Sequence, residues 1–547
     1  MEERQRRNST DQTSQGQGRM TKGQGHVATM DQRVHLPRVK RKTVFVFIVI
    51  LGTLTFMISG GVFELLPVFR SQRRHSDPAS FTKVTSWIGS NINYSKDDRE
   101  KAVQAKNTYE GAVNSDMASS YTVTPPRIVL DDKFKKGPHV VEISKPPAID
   151  PEHVIAGFQR TFPTVKAVNC KVLETNGSAR MNEWIKANSY MASHPKNVES
   201  PKHFLKDTLD CVTFKENRGY VTSSVTEEEK NFPIAFSLLL YKDISQAERL
   251  LRAIYRPQNY YCIHLDSKSD KAHLDAISAI ASCFDNVFMT QRMIPVQWGW
   301  FSVVEPELIC MEELMKYKKW KYFINLTGQE FPLKTNWELV KILKTYNGAN
   351  GIGGTVKGRQ AKRTLVVHHG IRSTTTKKEP FEMNVTLTKG PVHIAASRGF
   401  VEFVLHDDRA VKFRAWIQDT GVPDETFFSS LNHNPKWDVP GSYKGEPEMD
   451  PVTYPYLTRF KNWKKGMFHW PCAGKRVRAI CIFGVGDLNL LTSRPELFAN
   501  KFDYNFEPLG YDCLEEWHFR KIILEYTAKK PFDASFYANL SFIKNKV

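Results

Sequence analysis

FPIAFSLLLYKDISQAERLLRAIYRPQNYYCIHLD, residues 232–266, decides the fold. Its first ten residues form a near-continuous apolar run that reads as a strand buried on both faces. The next stretch, SQAERLLRAIY (245–255), has apolar side chains at helical spacing, and YYCIHLD (260–266) reads as a second strand. The same alternation continues outward. DKAHLDAISAIASC (270–283) reads as a helix, 286–290 as a strand and 303–317 as a helix. WKYFINL (320–326) is then a strand and 336–346 a helix. Strands alternating with helices predict βαβ units and a mostly parallel sheet, an α/β fold. Ligands of such sheets bind beyond the carboxyl ends of the strands. His264, Leu265 and Asp266 end one strand, and Gly328, Gln329 and Glu330 follow another.

Ahead of this region lies a different kind of sequence. Residues 43–63 are an uncharged, mostly apolar run, close to the roughly 20 residues of a membrane-spanning helix. Arg38, Lys40, Arg41 and Lys42 precede it and Glu64 follows. The positive flank predicts a cytosolic tail (1–42) and a lumenal C-terminal bulk. The run starts far from the first residue and lacks a clear small-x-small site, which argues for an anchor over a cleaved signal. Residues 64–165, rich in Ser, Asn, Lys, Asp and Pro, read as a stem, and 166–547 as the globular region.

The chain has 547 residues and a formal net charge of +19, spread along its length. No zinc-finger spacing, heptad-flanked basic region or RNA-binding signature accompanies that charge, so nucleic acid is not an expected partner. All eight cysteines (Cys170, Cys211, Cys262, Cys283, Cys310, Cys472, Cys481 and Cys513) lie beyond the apolar run. Their even number favours disulfides in an oxidising compartment, and no C-x-x-C pair suggests zinc. Spacing alone leaves the pairing open. Glycosylation sequons occur at Asn93, Asn176, Asn384 and Asn539; a fifth, at Asn325, falls inside a strand-like run and is not expected to carry a glycan.

No G-x-G-x-x-G opens the first helix, and no P-loop occurs; Gly484-Val485-Gly486 is a lone G-x-G. Nowhere does the chain contain D-x-D, the carboxylate pair with which many nucleotide-sugar transferases hold a metal on the diphosphate. A diphosphate bound here would need Arg and Lys instead.

Several runs now carry a resemblance: LLRAIYRPQNYYCIHLDSKSD (250–270), IASCFDNVFM (280–289), WKYFINLTGQEFPLKTNWELV (320–340), AWIQDTGVPDETFFSSL (415–431), VRAICIFGVGDLNLL (477–491) and LFANKFD (497–503). In this order they resemble the core-2/I-branching β1,6-N-acetylglucosaminyltransferases, Golgi type II membrane enzymes. The resemblance implies a GT-A-type fold, UDP-GlcNAc as donor, an O-glycan acceptor, inversion at the anomeric carbon, and no metal or other cofactor. It implies that Glu425, in Val422-Pro423-Asp424-Glu425, is the catalytic base. On the residues alone, that motif also reads as a helix start. Arg478 and Lys501 match the family's cationic contacts to the diphosphate, Asp266 an acidic residue near the nucleoside, and Trp463 a tryptophan of the acceptor site.

The disulfides implied are Cys170–Cys513, Cys211–Cys283, Cys262–Cys310 and Cys472–Cys481. With Thr327 where a relative has an unpaired cysteine, no free thiol is expected. The acceptor region departs from the family: its charged stretch is recast as 351–363, with Lys357, Arg359 and Lys362 either facing a sugar or solvated, and its G-S-A-Y segment becomes Gly390-Pro391-Val392-His393. Two other readings follow, the same scaffold using UDP-glucose or UDP-xylose, and a non-catalytic lumenal glycan-binding protein. A homodimer is compatible with the sequence.

Overall fold

The computed structural model describes residues 165–194, 198–465, 470–528 and 531–547. The tail, the apolar run 43–63, nearly all of the stem and the Asn93 sequon lie outside the described residues. Among the described residues no helix is long and apolar enough to cross a membrane.

The central sheet has five strands, in the order β3-β2-β1-β4-β8. They are β1 (Ile234–Leu240), β2 (Tyr260–Leu265), β3 (Val287–Met289), β4 (Tyr322–Thr327) and β8 (Ala395–Ser397). β1 pairs in parallel with β2 and β4, and β2 with β3; only β8 runs antiparallel, against β4. The helices expected between the strands are Ile244–Ile254, Lys271–Ser282, Glu305–Met315 and Asn336–Tyr346, each within a residue or two of its sequence pattern. Strand side chains alternate between faces, and so does the core. Phe236, Leu238, Tyr261, Ile263, Ile324 and Leu326 pack on one side with Leu250, Ile277 and Leu343 of three crossover helices. Ala235, Cys262 and Phe323 pack on the other with Leu308 and Met311 of the fourth. Both faces are covered, which is why these strands read as unbroken apolar runs.

A second sheet, not anticipated from the sequence, sits beyond the carboxyl end of β4. Its order is β5 (Glu330–Pro332), β12 (Phe498–Asn500), β9 (Arg459–Phe460). Its strands are too short to show any periodicity. What holds it to the main sheet is polar. Arg459 donates through Nε to Glu330 at 2.7 Å and through Nη2 to the backbone oxygen of Asn325 in β4, both side chains of the ion pair being fully buried. Asn500 donates to the other Glu330 oxygen at 3.1 Å. Burial alone would raise the Glu330 carboxyl, but Arg459 above all, with His393 and Lys461, holds it down at about 2.

Three of the implied disulfides are present: Cys170–Cys513, Cys211–Cys283 and Cys472–Cys481. The first links the start of the described region to the helix Pro508–Ala528 across 343 residues. The fourth expectation is corrected. Cys262 on β2 and Cys310 on the helix Glu305–Met315 meet as two buried thiols, with Cys310 Sγ donating to the Cys262 carbonyl at 3.5 Å. Burial in the apolar layer raises both thiols above the ordinary range, and it is the thiolate that forms disulfides. The expectation of no free thiol falls with it. Asn176, Asn384 and Asn539 are exposed, whereas Asn325 is buried and fully hydrogen-bonded within the core, as its position in a strand implied.

Arg459→Ala leaves Glu330 buried without its main counter-charge, and a loss of about 3–5 kcal/mol in urea unfolding is expected. Because the native carboxyl titrates far below its ordinary value, the stability it contributes is complete above pH about 4.5 and disappears as pH falls toward about 2. Glu330→Gln should therefore show a flatter stability profile across that acid range.

Candidate active site

The residues expected to meet a nucleotide lie at the carboxyl ends of the strands, beginning with β1 and β2. Asp266 follows β2, its N–H donating to the Leu240 carbonyl at 2.8 Å, and it is almost fully buried. Its carboxylate takes the Lys268 ammonium at 2.7 Å and the Lys268 N–H at 2.9 Å, so it enters any nucleoside contact already paired. His264, one position from the end of β2, accepts the Ile294 N–H at 3.1 Å, and burial pushes its ring down to about 4, so it is neutral. The Asp266–Ser269 turn rests on β1 through Ser269 Oγ, which donates to the Tyr241 carbonyl at 2.9 Å.

Arg478 sits in a hairpin built to hold it. β10 (Lys475–Val477) and β11 (Ile480–Ile482) are antiparallel, with Val477 opposite Ile480, so Arg478 and Ala479 are the two-residue turn. Both have positive φ, 48° and 69°, as a type I′ turn requires. Neither is glycine, and the left-handed region costs such residues about 1–2 kcal/mol each. The turn is pinned by the Cys472–Cys481 disulfide, by Lys464 N–H to the Ala479 carbonyl at 2.8 Å, and by Cys481 N–H to the Asn462 carbonyl at 2.9 Å.

Lys501 directly follows β12, and its carbonyl accepts the Phe483 N–H at 3.0 Å. Burial, then Lys242, then Arg478 push the Lys501 ammonium below the usual lysine range, opposed by Asp503. Lys242, two residues past β1, thus joins Arg478 and Lys501 in one cationic neighbourhood. Sequence reading passed over it, although its place just beyond a buried strand's carboxyl end was a usable signal. The lone G-x-G has a structural use instead: Asp487 accepts the Gly484, Ala473 and Gly474 N–H groups at 3.0, 2.8 and 2.9 Å.

Glu425 ends the short 3₁₀ turn Pro423–Glu425, which precedes the buried helix Phe427–Asn432. The turn is entered through Val422 at a φ of 51°. Its carbonyl accepts the Gly390 N–H at 2.8 Å. Gly390 must be glycine, because a Cβ there would stand 2.1 Å from the Gly353 carbonyl oxygen. The Glu425 carboxylate is half-buried and meets Arg363 at 2.5 Å and Lys389 at 3.6 Å. Neither cation was singled out by the sequence reading, though Arg363 closes the recast acceptor segment. Of the three basic residues named in that segment, Lys357 pairs with Glu446 at 3.1 Å, Lys362 is exposed, and Arg359 donates to the Leu387 carbonyl at 3.2 Å.

Asp424 is a second carboxyl beside the first. It is partly buried, and its Oδ1 is shielded from solvent with no hydrogen-bond partner among the described residues. Burial and then the Glu425 charge push it up to about 7, against the pull of Lys461 and Arg363. Lys461, on the strand extension after Arg459, is pushed down to about 8 by burial, with Glu330, Asp424 and Glu425 opposing. Its ammonium lies 3.1 Å from His393 Nδ1, and His393 Nε2 lies 2.8 Å from Glu330. Asn325 fixes His393 from both sides, donating to the Val392 carbonyl at 3.0 Å and accepting the Ile394 N–H at 2.7 Å.

The recast Gly390–His393 segment therefore connects the Glu330–Arg459 pair, through His393, to the Glu425 backbone carbonyl, through Gly390. Trp463, two residues beyond Lys461, is 46% exposed and bridges to Ile480, beside the Arg478 turn. The segment from Arg459 to Lys464 thus runs from the Glu425 side to the Arg478 side.

Comparison with known proteins agrees with this arrangement. Residues 234–492 match the family model described as Core-2/I-Branching enzyme. A human protein named β1,3-galactosyl-O-glycosyl-glycoprotein β1,6-N-acetylglucosaminyltransferase 3 is 35% identical over 369 residues, 65% of this chain and 84% of its own. A human β1,3-galactosyl-O-glycosyl-glycoprotein β1,6-N-acetylglucosaminyltransferase is 38% identical over 339 residues, 60% of this chain and 78% of its own. A protein of that name from Bovine herpesvirus 4 is 34% identical over 374 residues, 66% and 84% respectively. On these matches, the chain belongs to the core-2/I-branching family and is a glycosyltransferase.

Proposed function

We propose that the chain transfers N-acetylglucosamine from UDP-GlcNAc in β1,6 linkage to an O-glycan, by direct displacement with inversion and without a metal ion, on a GT-A-type scaffold. The observation that carries this reading is the pairing of one accessible carboxylate, Glu425, with a separate cationic neighbourhood of Arg478, Lys501 and Lys242. The relatives' names supply the sugar and the linkage. In the proposed step the acceptor's primary hydroxyl gives its proton to Glu425 as its oxygen bonds to the anomeric carbon. The bond from that carbon to the UDP oxygen breaks on the opposite face. Its electron pair leaves on the diphosphate, where Arg478 and Lys501 meet the developing charge. Asp266 and Trp463 serve the nucleoside and the acceptor in this scheme. The three disulfides suit a lumenal domain, and we place it in the Golgi, held by residues 43–63 as a type II anchor.

Three outcomes are expected of the full chain. Glu425→Gln should lower transfer about 10²–10⁴-fold while UDP binding, followed by calorimetry, stays as in the wild type. Unchanged transfer would remove Glu425 from the mechanism. Arg478→Ala or Lys501→Ala should each weaken UDP binding and lower kcat by about 10²-fold, and transfer should persist in EDTA.

Asp424→Asn reads the neighbouring carboxyl. Below pH about 7 the native carboxyl is protonated and the variant mimics it, so the two kcat/KM profiles should coincide. Above that pH the wild type gains a negative charge beside Glu425 that the variant cannot gain, and the profiles should separate. Profiles that run in parallel throughout would show that Asp424 does not titrate there.

A further inference from the structure

Next to the residue that follows Glu425 lies a small, partly open depression whose lining includes Arg359, Gln360, Arg363, Thr388, Lys389 and Thr426. No acidic side chain lines it among the described residues. Three cations therefore face this space, and the nearest carboxylate, Glu425, is shared by two of them, Arg363 and Lys389. The third, Arg359, spends its guanidinium on a backbone carbonyl, that of Leu387, and has no acidic partner among the described residues. Gln360 and the threonine hydroxyls of this lining can meet sugar hydroxyls as donors and acceptors. The charged groups are all cationic donors, and two are guanidinium forks that match the planar geometry of an oxyanion.

The cations are held in place by the backbone rather than carried on a free loop. Glu448 accepts from Thr355 Oγ1 at 2.6 Å, Val356 N–H at 3.0 Å and Lys357 N–H at 2.7 Å, which fixes the turn that leads into Arg359. Thr355 and Lys389 exchange two backbone hydrogen bonds of 2.8 Å, so the strand bearing Lys389 is locked to the turn bearing Arg359. Gly390, the next residue, donates to the Glu425 carbonyl. One rigid unit thus carries both the base and the donors, the arrangement that binding before reaction requires.

Resting on the transfer reading above, we propose that Arg359, Arg363 and Lys389 form a subsite for an oxyanion carried by the acceptor glycan, a carboxylate or a sulfate ester close to the reacting hydroxyl. Arg363 turns from Glu425 toward that oxyanion as the acceptor seats, and so leaves the Glu425 oxygens open to the hydroxyl proton. The acceptor's own charge thereby helps to release the base.

The test measures binding and transfer by the full chain in detergent with UDP present. It uses three matched O-glycans: neutral, bearing one sialic acid carboxylate, and bearing one sulfate ester. At low ionic strength at least one acidic glycan should bind about tenfold tighter than the neutral one. Salt should erode that preference. Whichever acid shows it identifies the source of the oxyanion. In Arg359→Ala/Lys389→Gln the ratio of acidic to neutral binding should fall to near one, with UDP affinity retained as proof of folding; Arg359→Lys should restore part of it. A neutral glycan that binds as tightly as both acidic ones, or a preference that survives the double variant, would overturn the subsite. Acidic glycans that bind preferentially but receive no sugar from UDP-GlcNAc would leave the subsite standing and strike the donor assignment alone.

Discussion

The buried pair of Glu330 and Arg459 is the joint on which the site depends. Glu330 begins β5, just past the carboxyl end of β4, and Arg459 begins β9, some 130 residues later in the chain. Their contact, together with Arg459 on the Asn325 carbonyl and Asn500 on Glu330, brings β4, β5, β9 and β12 to one point. A hydrophobic contact there could hold the strands but would not fix their direction or register. Hydrogen bonds from one guanidinium to a carboxylate and a backbone oxygen fix both. The desolvation cost of such a pair is large, so its value lies more in geometry than in net stability. Lys501 follows β12 directly and Lys461 follows β9 directly, which makes the aim of both cations a consequence of this joint.

Much of the scaffold was legible because one physical rule produced it. A parallel strand covered on both faces must be apolar throughout, and a crossover helix must be apolar at helical spacing, so the four parallel strands and their helices stood out between residues 232 and 346. The small sheet was not legible, because strands of two or three residues have no period and their partners lie far apart in sequence. Cys262 and Cys310 were rightly placed side by side but wrongly joined. Adjacency follows from the packing of a helix on a strand, whereas bond formation depends on a thiolate that this apolar layer disfavours.

The site divides along similar lines. Glu425, Arg478, Lys501, Asp266 and Trp463 could be named because they sit in motifs that retain the family's spacing. Arg363, Lys389, Lys461 and Lys242 could not, since a lone basic residue in a chain of 77 Lys and Arg carries no signal of its own. What selects them is the third dimension: Arg363 and Lys389 converge on one carboxylate, Lys461 reaches His393 and feels the Glu425 charge, and Lys242 neighbours Lys501. The departure noticed at Gly390–His393 proved more informative than the matches around it. A histidine there is packed against Glu330 on one side and Lys461 on the other.

That coupling has a consequence for the chemistry. His393 is buried, flanked by cations and held well below its ordinary range, so at neutral pH it is an uncharged spacer rather than a proton carrier. Glu330 remains charged and Lys461 is only partly committed to its charge, being held near 8. Asp424, held near 7, is coupled to both Glu425 and Lys461 and is in the same condition. Two groups poised within about a unit of neutrality are therefore coupled to the proposed base, and neither needs to touch the substrate to influence it. As pH rises, Asp424 gains negative charge and Lys461 loses positive charge, and both changes make the surroundings of Glu425 more negative. The proposed base thus has four charged or titratable neighbours, Arg363 and Lys389 in direct contact and Asp424 and Lys461 through electrostatic coupling. The recast segment supplies Arg363 and, through Thr355, the backbone bonds that hold Lys389, so change in that segment alters the surroundings of Glu425 as well.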